Sequence, residues 1–130
     1  MGVKLVVRQM SDVSIVYVTG RLTLAFLPDD GRGGKRKVDP ECGSIRLRDE
    51  LLNLVASGKR QILLNLGEVS YIDASGIGEL VSGFTILTNN GGRLKLTNLT
   101  KQVQDLLQIT KLYTVFDVFE DEATAIRSFC

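Results

Sequence analysis

The sequence predicts an α/β fold: one domain on a mixed, mostly parallel sheet. Three observations carry this expectation. Apolar strand-like runs alternate with helical patterns in the order ββ-loop-αβαβαβα, and strands separated by single helices call for right-handed crossovers and parallel pairing. The 130 residues suit one core. The 44% apolar residues come in short runs, far below the roughly 18 residues needed to cross a bilayer.

The first two elements are β-branched-rich, Val3 to Arg8 and Val13 to Thr19, and they bracket Met10-Ser11-Asp12 as a hairpin. The unbroken run Val13-Ser14-Ile15-Val16-Tyr17-Val18 suits a strand covered on both faces, and Gly20-Arg21 is expected to end it. Composition then changes. Residues 26–41 hold both prolines, three glycines and almost no periodicity, which is loop chemistry of unusual length inside a compact domain.

Order resumes at Ser44, a predicted N-cap, followed by Leu47, Leu51, Leu54 and Val55 at helical spacing and Gly58 as the stop. Residues 60–66 form a short apolar strand, and residues 67–73 read as a connecting loop. Ile77, Leu80, Val81, Phe84 and Leu87 then mark an amphipathic helix, ended by Asn89-Asn90-Gly91-Gly92. Arg93 to Thr97 alternates with period two. Thr100 caps a helix with Val103, Leu106 and Leu107 that ends near Leu112. Val115 to Phe119 is the last strand, and Asp121-Glu122 opens a final helix carrying Ala125, Ile126 and Phe129.

Charge and composition exclude whole classes of function. With no histidine, the commonest general base, metal ligand and pH switch are all absent, so triad enzymes are out and neither a metal site nor a cofactor is expected. A net charge of +1 with interspersed signs argues against a general nucleic-acid or membrane binder. Cys42 and Cys130 lack any metal-ligand spacing and read as reduced thiols, although a single bridge between them is the alternative. The N-terminal residues alternate too soon for a secretory leader, and Gly2 lacks the myristoylation pattern. A cytoplasmic protein is expected.

The informative stretch is Val69-Ser70-Tyr71-Ile72-Asp73-Ala74-Ser75-Gly76-Ile77-Gly78-Glu79-Leu80. It delivers a serine to the first turn of a helix, where backbone N–H groups lack partners and the dipole leaves partial positive charge. Asp73 can accept one or two of those N–H bonds, and Gly76 and Gly78 keep the turn free of side chains. A phosphate on Ser75 would bring about −1.5 to −2 charges to a site the dipole favours, but close to the like charge of Asp73, which repels it. On composition alone, Ser75 and Asp73 equally describe an ordinary helix cap. Gly-Ile-Gly is costly in a helix, roughly 1 kcal/mol per glycine, and so hints at a need for backbone access.

Residues 70–80 resemble the signature of STAS domains of the bacterial anti-sigma factor antagonist type. Val18-Thr19-Gly20-Arg21-Leu22-Thr23-Leu24 is similar to that family's second-strand exit, residues 60–66 to its central strand, and residues 91–98, 106–112 and 116–119 to its late strand, helix and last strand. The resemblance covers residues 3–25 and 43–129, all but the inserted loop. It implies a single STAS-like domain over residues 1–130, with helices mainly on one side of the sheet. It also implies partner switching: the unphosphorylated form binds an anti-sigma factor serine kinase and frees sigma factor, phosphorylation blocks that complex, and a phosphoserine phosphatase restores it. Ser75 matches the phosphoacceptor, with Asp73 two residues before it. Ala74 stands where relatives often carry a second hydroxyl. The implied docking surface comprises Thr23, Leu24, Ile77 and Glu79 with the Ser75 loop, on a monomer or weak homodimer.

The inserted loop, about 26–41, is expected at the same end as Ser75. Its Arg32, Lys35, Arg36 and Lys37 read either as a solvated, mobile run or as contacts to an acidic partner or to phospho-Ser75. It lacks interleaved aromatics, so nucleic acid is not expected. Gly31-x-Gly33-Gly34 lacks the flanking strand and helix of a phosphate loop. Tyr71 and Tyr113 are expected to be half-buried packing residues, and Leu80, Phe84 and Leu87 core. Two other functions fit the sequence: a STAS scaffold subunit of a larger stress-signalling assembly, and a small-molecule or nucleotide sensor.

Overall fold

The computed structural model describes residues 2–130. Its elements are β1 (Val3–Met10), β2 (Val13–Leu22), α1 (Gly43–Ala56), β3 (Gln61–Ile72), α2 (Ala74–Asn89), β4 (Arg93–Thr97), α3 (Lys101–Ile109), β5 (Asp117–Phe119) and α4 (Glu122–Arg127). The five-stranded sheet runs β1-β2-β3-β4-β5. β1 and β2 pair antiparallel, and every later pair is parallel. Met10 pairs with Val13, and Ser11 takes a left-handed φ of 55° to close the hairpin between them.

The strand order never reverses. Successive right-handed crossovers therefore place α1, α2 and α3 on the same face. Their Leu47, Leu51, Ile77, Leu80, Leu87, Val103 and Leu107 share one core with Val16, Val18, Ile62, Leu64 and Leu96. The short α4 covers the other face, where Ala125 and Phe129 pack on Val13, Ile15 and Leu63. Both faces of β2 are thus buried, as its unbroken apolar run predicts. Lys95, only 5% exposed, helps to seat α4 by donating to the Ser128 carbonyl at 3.0 Å and hydroxyl at 2.9 Å. Among the described residues no helix is long and apolar enough to cross a membrane.

Five sequence-based boundaries need correction. Gly20 does not end β2: it takes φ 111° beside a register shift, and the strand runs on to Leu22. A bulge of this kind lets a strand bend without losing its partner. Residues 67–72 are accordingly strand, not loop, with Glu68, Val69, Tyr71 and Ile72 paired to Thr19, Gly20, Arg21 and Leu22. α1 begins earlier than expected, with Cys42 rather than Ser44 at the N-cap, because the Cys42 carbonyl already accepts the first helical bond, from the Arg46 N–H at 3.0 Å. α3 stops at Ile109, where Lys111 turns left-handed with φ 61°, and β5 starts only at Asp117.

β3 also outruns its other neighbour. β4 pairs only with Gln61–Asn65, which leaves the far half of β3 without a strand on that side. At Ile72 a side chain fills the place: Gln102 of α3 accepts from the Ile72 N–H and donates to the Ile72 carbonyl, both at 2.9 Å. One amide thus reproduces both hydrogen bonds of a neighbouring strand.

Candidate functional site

The site stands where the second and third strands end and the first two long helices begin. Thr100 and Asp121 cap the later helices through Val103 and Thr124, and Asp73 does the same for α2. Its Oδ1 accepts the Gly76 N–H at 2.9 Å, and its backbone carbonyl takes the Ile77 N–H at 3.1 Å. The other carboxylate oxygen, Oδ2, reaches out of the helix to the Leu24 N–H at 3.1 Å. The Asp73 N–H in turn bonds the Leu22 carbonyl at 3.3 Å. Asp73 is therefore a cap and a rivet at once, fastening the α2 start to the β2 exit. The Ser44 N–H holds Thr23 from the α1 side, so three segments meet at Thr23-Leu24.

Ser75 is the second residue of α2 and is half-buried. Among the described residues its hydroxyl has no hydrogen-bond partner, and neither do the backbone N–H groups of Ala74 and Ser75. A half-buried, unpartnered hydroxyl next to unpaired N–H groups at a helix N-terminus can carry an anion without unfolding the helix. Ala74 and Gly78 beside it are exposed.

The two glycines play different parts. Gly76 is buried, and a Cβ there would run into the Leu22 carbonyl and lie 2.6 Å from Ile72 Cγ1, so only glycine lets α2 sit this close to β2. At Gly78 a Cβ would meet nothing within 4 Å; its missing side chain leaves the outer surface of the first turn bare.

Of the residues the sequence points to, the structure brings together Asp73, Ala74, Ser75, Gly76, Gly78, Thr23 and Leu24. Two do not belong to an open surface. Ile77 is 4% exposed and packs in the main core, because the fourth residue of this helix points at the sheet. Glu79 is half-buried and turns to Arg48 of α1 at 3.9 Å. Tyr71 is not a packing residue: it is 43% exposed, with the Arg21 guanidinium 5.1 Å from its ring centre. Gln102 went unread, since a single glutamine in an amphipathic helix has no local signature. The inserted loop follows directly from Leu24. Arg32, Lys35, Arg36 and Lys37 are all exposed on it, and its base is paired rather than open, through a Phe26–Val38 antiparallel bridge.

Among the described residues no three metal-ligating side chains cluster. The unreversed strand order also lacks the topological switch point at which open α/β sheets bind nucleotides.

Comparison with known proteins gives this geometry its context. The family model described as STAS domain matches residues 44–125. The anti-sigma-B factor antagonist of Bacillus subtilis (strain 168) is 36% identical over 72 residues, 55% of this chain and 65% of that protein. The chain spans less than two thirds of the length of the first curated relatives it matches. Among solved structures, an anti-sigma factor antagonist from Mycobacterium paratuberculosis superposes with a TM-score of 0.72 at 16% identity, covering 98% of this chain and 93% of that one. The Bacillus cell fate determinant SpoIIAA in its phosphorylated form gives 0.65 at 16% identity, covering 96% and 99%. At these identities the two superpositions establish the fold.

Proposed function

The chain belongs to the STAS domain family, and from that membership and the architecture around Ser75 we propose that it is an anti-sigma factor antagonist switched by phosphorylation of Ser75. The observation that carries the reading is the placement of the Ser75 hydroxyl, half-buried and unpartnered on the second residue of a helix whose start is bolted to the neighbouring strand exit through Asp73.

In the unphosphorylated state the bare first turn of α2, with Ala74 and Gly78, joins Thr23 and Leu24 to make a docking face for an anti-sigma factor kinase, which then releases its sigma factor. The kinase transfers the terminal phosphoryl group of ATP to Ser75 Oγ. An O–P bond forms at the serine, the bond to the ADP oxygen breaks, and the hydroxyl proton leaves to a base on the kinase. The added charge, about −1.5 to −2, sits on that face beside the Asp73 carboxylate and repels a surface that accepted a neutral hydroxyl. The folded core has no need to move, since Asp73 already satisfies Gly76 and Ile77. A phosphoserine phosphatase reverses the state. This chain supplies the hydroxyl and the docking face, and the ATP chemistry belongs to its cytoplasmic partner.

The test is phosphorylation by the anti-sigma factor kinases of the source organism, purified singly with ATP, followed by site mapping by mass spectrometry and a binding titration of each form. One phosphate on Ser75, absent from Ser75→Ala, with the phosphorylated form losing the complex, is expected. A phosphate elsewhere, or equal binding by both forms, overturns the reading.

A further inference from the structure

The inserted segment is an arm with a built face. The Leu27 N–H donates to the Lys37 carbonyl and the Asp39 N–H to the Ala25 carbonyl, both at 2.8 Å, on either side of the Phe26–Val38 bridge. That arrangement makes residues 26 and 38 a non-hydrogen-bonded pair, the kind whose side chains stand closest on one face of a ribbon. Alternation brings Leu24 and Arg36 to the same face and sends Leu27 and Lys37 to the other. The Arg36 guanidinium accordingly lies 5.2 Å from the Phe26 ring centre. Leu24, Phe26 and Val38 are 38%, 43% and 39% exposed. Three large apolar side chains are therefore held in a row in water. The row begins at Leu24, whose N–H is held by Asp73, and runs outward from the Ser75 turn.

The arm carries as many carboxylates as cations, Asp29, Asp30, Asp39 and Glu41 against Arg32, Lys35, Arg36 and Lys37, but at its base Glu41 is paired with Arg46 and Asp39 accepts the Glu41 N–H. Asp29 and Asp30 each spend an oxygen on the backbone, accepting from the Gly31 N–H at 3.2 Å and the Arg32 N–H at 2.9 Å. Among the described residues Arg32, Lys35, Arg36 and Lys37 make no ion pair. An apolar strip edged by unpaired cations complements a chain segment that carries apolar and acidic side chains.

We propose that this face extends the docking surface and receives an acidic, apolar-faced segment of the anti-sigma factor kinase. Its apolar side chains lie over Leu24, Phe26 and Val38, and a carboxylate meets Arg36. The inference rests on the antagonist reading above and assigns partner choice to the arm. The Ser75 turn would govern whether the complex forms; the arm would govern with which kinase.

The experiment titrates the unphosphorylated protein, without ATP, against each purified anti-sigma factor kinase of the source organism by calorimetry, over a range of salt. Phe26→Ser, Val38→Ser and Arg36→Glu are each expected to weaken the complex about tenfold, with Arg36→Glu also flattening its salt dependence. Lys37→Glu, on the opposite face of the ribbon, is expected to change affinity less than about twofold. Thermal melts confirm that these exposed substitutions leave the fold intact. Wild-type affinity in Phe26→Ser, Val38→Ser and Arg36→Glu overturns the proposal. So does a Lys37→Glu effect equal to that of Arg36→Glu, or sedimentation showing that the arm pairs two copies of this chain instead. Ser75→Asp reads the switch separately: tight binding by that variant, with loss in Arg36→Glu, removes the phospho-switch and keeps the arm. A wild-type protein that binds none of the kinases overturns both.

Discussion

The Asp73 carboxylate is bonded to the Leu24 N–H at 3.1 Å across 49 residues of sequence, so the helix that carries Ser75 and the strand exit that leads into the arm share one fastening. Asp73→Ala removes this bond together with the cap on Gly76. A loss of about 1–2 kcal/mol is expected, read as a lower urea midpoint at unchanged m-value. Hydrogen exchange at the Leu24 amide should accelerate. Asp73→Asn, which keeps a carbonyl acceptor, is expected to lose less. An unchanged midpoint in Asp73→Ala would show that the fastening contributes nothing.

The two glycines of the first turn should respond in opposite directions. Gly76→Ala places a Cβ against the Leu22 backbone and Ile72, at an expected cost of about 1–3 kcal/mol. Gly78→Ala adds a methyl to open space and is expected to stabilise by up to about 1 kcal/mol. Chemical denaturation of both variants checks the pair. If Gly78→Ala also weakens kinase binding despite the gain in stability, the bare surface of that turn is itself a contact.

Phosphorylation of Ser75 is expected to leave the melting temperature within about 4 °C of the unmodified protein. Attraction of the phosphate to the helix N-terminus, about 0.3–1 kcal/mol, works against repulsion from Asp73. Differential scanning calorimetry of the two forms decides this. A large drop would mean that the switch melts α2 rather than changing the face it presents.

The attachment of α4 is expected to weaken at both extremes of pH. Asp121 is held below its ordinary value of 3.8, first by the Thr124 N–H and then by the Thr124 hydroxyl. Its folded value is depressed, so its contribution is complete above the unfolded value and is lost as pH falls through the folded one. Tyr17 is raised above its ordinary 10.0, first by burial and then by its hydrogen bond to Glu122. Here the neutral phenol is favoured, so the contribution is complete below the unfolded value and fades as pH rises through the folded one. Between them lies a plateau. Near-ultraviolet circular dichroism against pH should show both limbs, the acid limb flattened by Asp121→Ala and the alkaline limb by Tyr17→Phe.

What could be read from the sequence was what local chemistry dictates. The apolar runs at Val13–Val18 and Ile62–Leu66 declare doubly covered strands, and the spacing of Leu47, Leu51 and Leu54 declares a helix face. Ser75 stood out because a serine at a helix start, between an aspartate and a costly Gly-Ile-Gly, belongs to a recognisable series of motifs. What escaped depended on partners distant in the chain. Gly67, Glu68 and Ser70 look like loop residues, yet the pairing of Glu68, Val69, Tyr71 and Ile72 with Thr19–Leu22 carries the strand through them. Ser44 has the chemistry of a cap, but the helix starts two residues earlier, where the Cys42 carbonyl accepts the Arg46 N–H. The burial of Ile77 follows from how the helix lies on the sheet. Phe26 and Val38 pair across a stretch too long and too glycine-rich to signal a hairpin.

The amide of Gln102 has a consequence for how such a switch can vary. Because it supplies both bonds that a missing strand would have made to Ile72, the end of β3 that leads into the Ser75 turn is braced from α3. A partner sees the turn and not its brace. Inherited change at position 102 would therefore act on the Ser75 turn from behind, through Ile72, while every residue of that turn stays the same.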